Sequence, residues 1–218
     1  MMSSKFMFVM LMLIAGSFAY DDPNYYKIDS IETIKSLHPV YINDTYYKYN
    51  GSQSNIDIST IIAIGKEVWE IIKEGKPVVD YKIDYGGAIP KGVEWSDLEG
   101  FKSAKWGPFG WTFKDVYGIE TVRFKWNFGF NCKGSYQGHG MFLTDVVTAV
   151  NEIYAAWGFT VNAVATVGQK PTNYGTKIDP IAGLPIEVTI DVKTVLQSFT
   201  EKCTVIIKGD CSGVVVSC

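Results

Sequence analysis

Histidine and cysteine are scarce in this 218-residue chain, with two of the first and four of the second. His38 and His139 are not spaced for a zinc site with any cysteine pair, and no C-x-x-C pair occurs, so no metal and no cofactor is expected. Basic residues form no run. The 20 Lys and Arg are set against 23 Asp and Glu, a formal net charge of −3, which leaves no store of cations for counterion release and sets nucleic acid aside as a partner. Glycine is not arranged as a dinucleotide fingerprint, and Gly107-Pro108-Phe109-Gly110 has no helix behind it to complete a phosphate site. No internal repeat is visible, which argues against a propeller or solenoid. Beyond the first twenty residues no uncharged stretch is long enough to span a bilayer as a helix, and no C-terminal apolar tail indicates a glycolipid anchor.

Residues Met1 to Ala19 have the build of a signal peptide: Lys5, the apolar run Phe6 to Ala15, and small residues at Ser17 and Ala19. Cleavage there would leave 199 residues and, with Lys5 gone, 19 cations against 23 anions. Two sequons follow, at Asn43 and Asn50, in the most polar part of the chain, where an oligosaccharide can be accommodated. The expected localisation is secreted and extracellular. Four cysteines in such a compartment, Cys132, Cys203, Cys211 and Cys218, imply two disulfides.

Residues 20–54 are rich in Tyr, Asp, Asn and Ser and are expected to form a loosely ordered N-terminal arm. Within it, Ile28, Ile31, Ile34 and Leu37 recur every three residues ahead of Pro39, the spacing of a short helix. Residues 55–218 are expected to form one domain. Its opening stretch, Asn55 to Gly75, carries a helical stripe of Ile58, Ile61, Ile62, Val68, Trp69 and Ile72 and ends at Gly75 and Pro77. From Val79 onward the period changes to two. Strands are expected at 79–85, 106–116, 122–132, 142–154, 157–167, 186–192, 202–208 and 213–218. The segment Val122 to Cys132 alternates most strictly, and its length predicts a bulge or bend. The fold class expected is mainly β: an antiparallel β-sandwich with an N-terminal helix and a Tyr-rich arm. A closed calyx barrel is the alternative, disfavoured because large Trp and Phe rings would fill its interior.

The final hairpin narrows the disulfide pairing. With the turn at Gly209 to Ser212, Lys208 faces Gly213 and Cys203 stands opposite Cys218, leaving Cys132 for Cys211.

Catalytic chemistry finds little support. His139 lies between two glycines in an expected loop, unlike the fixed setting of a general base. A carboxylate pair of Asp or Glu is the most plausible route to a hydrolase. Binding has more: Trp95, Trp106 and Trp111 sit in or beside a loop-rich stretch, where indoles can stack on a sugar face, although burial at the ends of a sandwich is the commoner use of such rings. The expected role is therefore a non-enzymatic component of an extracellular coat or matrix, with carbohydrate or coat components as partners. A secreted hydrolase is one alternative. A membrane-active pore former is another, because strands such as 122–132 are long enough to line a β-pore, yet any half-buried strand alternates the same way; membrane contact ranks below carbohydrate.

The run NIDISTIIAIGKEVWEIIKEGKPVV at 55–79, the long aromatic strands after it, and Tyr154-Ala155-Ala156-Trp157-Gly158 resemble the type-2 spherulins, exported proteins that accumulate during encystment. The resemblance covers about residues 55–209. It implies a secreted, developmentally regulated protein with no known enzymatic role.

Overall fold

The computed structural model describes residues 22–35, 40–41, 61–64, 68–73 and 78–218, with side chains for 22–35 and 86–218. The expected signal peptide and both sequons, Asn43 and Asn50, lie outside the described residues. In chain order the strands are β1 Ile28–Lys35, β2 Val40–Tyr41, β3 Ile61–Ile64, β4 Val68–Lys73, β5 Val78–Pro90, β6 Lys102–Asp115, β7 Glu120–Tyr136, β8 His139–Ala155, β9 Thr160–Val167, β10 Thr172–Asn173, β11 Ala182–Lys193, β12 Ser198–Lys208 and β13 Gly213–Ser217. Helical geometry among the described residues is confined to two 3-10 turns, Pro23–Tyr26 and Trp95–Asp97. No helix among them is long and apolar enough to cross a membrane.

Two sheets share one strand. The first runs β1-β6-β7-β8 and ends on the C-terminal half of β5, with β3 beyond it. In the second, the N-terminal half of β5 lies between β4 and β9, and β11, β12 and β13 continue outward from β9. The crossing falls between Asp84 and Tyr85, just ahead of Gly86 and Gly87, where the pairing with β8 also shifts register. Such a change of sheet needs a bend, and glycine permits it without a side chain to re-pack. The β5–β9 pair is parallel, and every other strand pair among the described residues is antiparallel. The strand path has two ends, at β1 and β13, so it does not close into a calyx among the described residues.

The inner faces pack against each other in a sandwich-like way. The first sheet contributes large rings, including Phe109, Trp111, Phe124, Trp126 and Phe128, all fully buried. Smaller side chains from β9, β11 and β12 oppose them, such as Val161, Ala163, Val188, Ile190 and Val205. Large against small lets the two layers interdigitate, and each buried large side chain contributes about 1.5–3 kcal/mol. The sheets come close at Gly213 of β13, where a Cβ would lie 2.5 Å from the Trp106 ring. The bridge Cys132–Cys211, with Cα atoms 5.3 Å apart, joins β7 to the β12–β13 turn and so ties the two sheets together. Cys203–Cys218 pins the last strand to β12. This is the pairing the hairpin suggested, reached by a different register. The turn end pairs Ile207 with Gly213, and a shift around Val216 restores Thr204 opposite Ser217, which brings Cys218 level with Cys203.

Two expected helices are strands. The isoleucines of 28–35 lie on β1, paired with β6 from Ile28–Asp115 to Lys35–Phe109, so this part of the expected arm is an integral edge of the first sheet. A register shift between Ile28 and Ser30 puts Ile28, buried, and Ile31, half-buried, on one face, while Ile34 falls on the other and is also half-buried. Within the expected helix 55–75, residues 61–64 and 68–73 pair with β5 instead. Their Ile and Val content favours strands, and β5 offers an unpaired edge there. Strand β7 shows the expected bulges, with register shifts against β8 at four points, and extends through Tyr136 into a tight hairpin.

Candidate functional site

The outer face of the first sheet is a closed polar ladder. Arg123 of β7 donates to Glu152 of β8 at 2.5 Å and to Glu120 at 2.6 Å, while Lys125 donates to the second Glu152 oxygen at 2.6 Å. Farther along, Asn127 donates to Asn151 at 2.5 Å. Asn131 donates to Asp145 at 2.7 Å and accepts from Ser103 of β6 at 2.7 Å. Alternation along β7 places Arg123, Lys125, Asn127 and Asn131 on one face, opposite the aromatic core, and the register shifts beside Glu120 and between Val150 and Glu152 bring the remaining partners to it. The hydrogen bonds from Lys125 and Arg123 hold the Glu152 carboxyl below the usual carboxylate range. Asp22 is likewise held down, first by the hydroxyl of Tyr117 and then by the Asn24 N–H. Both groups are stabilised as ions, the opposite of a general acid's raised pKa.

The tryptophans singled out in the sequence separate into two environments. Trp106 and Trp111 are 1% and 0% exposed and belong to the core, so neither can stack on a ligand. Trp95 is 63% exposed. It starts the turn Trp95–Asp97, which is closed by a capping box between Glu94 and Asp97 and anchored on either side by buried Val93 and Leu98. Glu99 then pairs with Ser135, fixing the loop to β7. The result is a projecting indole on a braced turn with three carboxylates, Glu94, Asp97 and Glu99, within four positions of it. That combination suits a sugar, whose C–H face stacks on an indole while its hydroxyls donate to carboxylates.

His139 is exposed beside the Gln137-Gly138 turn, where both residues have positive φ. No group of three His, Cys, Asp or Glu among the described residues could hold a metal ion, and the cysteines are all in disulfides.

The opposite end of the molecule was not anticipated. There the turns after β6, β8 and β11 carry exposed apolar side chains, including Tyr117, Trp157 and Leu196. The available signal was the presence of Val-Tyr and Val-Leu pairs at positions where polar turn residues are the norm.

Fold and surface together define a disulfide-stapled, two-sheet β protein. Comparison with known proteins finds no family model, no characterised protein and no solved structure that matches the chain.

Proposed function

We propose that the protein is a secreted, glycosylated, non-catalytic component of an extracellular coat or matrix, built as an antiparallel β-sandwich and contacting polysaccharide through the Trp95 turn. The observation that carries this reading is the 63% exposure of Trp95 on a turn held by buried Val93 and Leu98. An indole carried on a braced turn offers stacking area without ordering the backbone on binding. Two disulfides, one of them tying the sheets together, suit an oxidising compartment. The likeness of residues 55–79 and 154–158 to type-2 spherulins adds a developmental setting, encystment. The hydrolase alternative is weakened by the downward shifts of Asp22 and Glu152.

Retention of purified protein on insoluble cellulose and chitin, with a panel of soluble glycans as competitors, tests the reading. Wild-type protein is expected to be retained, and Trp95→Ala to lose about tenfold in affinity with an unchanged far-UV circular dichroism spectrum and melting temperature, since one stacked aromatic contributes about 1–1.5 kcal/mol. Absence of retention on every polysaccharide, or retention unaffected by Trp95→Ala, would overturn it.

A further inference from the structure

Strand β13 ends the second sheet, and among the described residues it pairs with β12 alone. The Lys208 N–H donates to the Ser212 carbonyl at 2.8 Å, which makes these two residues a hydrogen-bonded pair. Alternation from that pair turns the N–H and C=O of Val214 toward β12 and those of Gly213 and Val215 away from it. Among the described residues no backbone bond from Gly213 or Val215 reaches another segment. The one irregularity of the strand, the register shift at Val216, lies past Val215 and leaves 213–215 regular.

Open strand edges are normally guarded by charge, by brevity or by a charged side chain pointing inward. The rest of this molecule follows that rule. At the other end of the strand path, β1 carries Asp29, Glu32 and Lys35, all exposed. Edge strand β10 has two residues. Where β12 runs on past the end of β13, Glu201 stands opposite the buried Ile190 and so turns a carboxylate toward the core side. By contrast, residues 211–218, Cys-Ser-Gly-Val-Val-Val-Ser-Cys, hold no charge and no proline, and Val214 and Val216 are 43% and 57% exposed. The strand is also fixed at both ends, by Cys132–Cys211 before it and Cys203–Cys218 after it. An edge held extended by two bridges offers its pairing groups with little ordering cost.

We infer that this edge pairs with the same edge of a second copy of the chain, joining the two second sheets across a two-fold axis. Outward N–H and C=O groups in strand spacing match an extended backbone, and an uncharged edge matches an uncharged strand. Among the edge strands with described side chains, only β13 is both uncharged and longer than two residues. Antiparallel pairing of Gly213 with Val215 of the second copy, and the reverse, uses every outward group of both residues. Val214 then faces its own counterpart at the axis, as a closed isologous contact requires. Side-chain chemistry agrees with this register. Pro185 pairs with Ile206 and Ile206 with Val214, so an apolar row on the outer face of the sheet runs up to the axis and continues unbroken on the other side. Strands of five residues are about 17 Å long and join less than the roughly 800 Å² per partner of a standard interface, which places the dissociation constant on the order of 10–100 µM. The pairing involves no residue of the Trp95 turn.

Sedimentation velocity of the purified, oxidised protein from about 1 to 500 µM tests the pairing. Wild type is expected to pass from monomer to dimer over that range and to stop there. Val214→Lys and Val214→Glu each set like charges opposite one another at the axis and should weaken association by about tenfold or more, whereas an equimolar mixture of the two variants should recover it. A retained melting temperature checks the fold of each variant. Trp95→Ala should associate like wild type, which separates this proposal from the polysaccharide reading. Monomer throughout the range, association that both charge variants retain, or a mixture that fails to recover would overturn it. Growth beyond the dimer would show a contact that does not close on itself and overturn it equally.

Discussion

Removing the Cys132–Cys211 bridge should cost more than removing Cys203–Cys218, although the second joins the two strands of one hairpin. The first closes a segment of 79 residues and the second one of 15. In the chain-entropy model these lengths correspond to about 4.5 and 3 kcal/mol at 25 °C. An unfolding entropy of about 0.4 kcal/mol/K for a chain of this size turns them into melting-temperature losses of about 11 and 7 °C. Cys132 and Cys211 are both buried, whereas Cys218 is exposed, so alanine substitution adds lost packing to the first pair and widens the gap. The comparison is made by calorimetry on Cys132→Ala/Cys211→Ala and Cys203→Ala/Cys218→Ala. A local readout is also available: Trp106 packs on Gly213 two residues beyond Cys211, so only the first variant should redshift tryptophan emission before global unfolding. Equal losses, or a larger loss for Cys203→Ala/Cys218→Ala, would show that the bridge between sheets does not restrain the unfolded chain as argued.

Three further outcomes follow from the ladder and from two glycines. Glu152 has a lowered folded pKa, so its stabilisation is present above the unfolded value of about 4.3 and is lost as pH falls through the folded one; Glu152→Gln should flatten the melting-temperature profile below about pH 5. A Cβ at Gly110 would collide with the Phe124 carbonyl and lie 2.8 Å from Lys125 Cα, both backbone, so Gly110→Ala should destabilise by about 3 kcal/mol in urea unfolding. Gly118→Ala meets nothing within 4 Å and carries only the cost of its φ of +75°, about 1 kcal/mol in the same assay.

Strands buried on one face and bonded on both sides were the most readable in the sequence. The alternating residues of β7, β9 and β11 point into the core, and their period of two leaves no competing pattern. The edge strand β13 was readable, but β1, β3 and β4 were not, for a physical reason. Ile28, Ile31 and Ile34 satisfy a helical spacing as well as a bulged strand, and the choice is made by β6, whose sequence lies some eighty residues away. Residues 61–64 and 68–73 likewise take their state from the strand they pair with, β5, although it lies close in sequence. Trp106 and Trp111 could have been assigned correctly: Trp111 shares its alternation with Phe109 and Phe113. The register shift between Trp106 and Phe109 then carries Trp106 to the same face. The apolar turn ends were missed because turn composition is read for polar residues, and nothing local tells an exposed Leu196 from a buried one.

The strand common to both sheets has a consequence for biogenesis. On a growing chain, β5 is complete at Pro90, but its inner partners β8 and β9 are finished only at Ala155 and Val167. At about 5–20 residues per second, the 77 residues from Pro90 to Val167 take roughly 4–15 s to make. Through that interval β5 can pair only with β3 and β4, presenting an open strand edge of 13 residues. Neither sheet can be completed before β8 and β9 arrive, so no independently folded half exists to shelter that edge during synthesis. An escort that covers extended segments during synthesis should therefore matter more for this chain than its final stability would suggest.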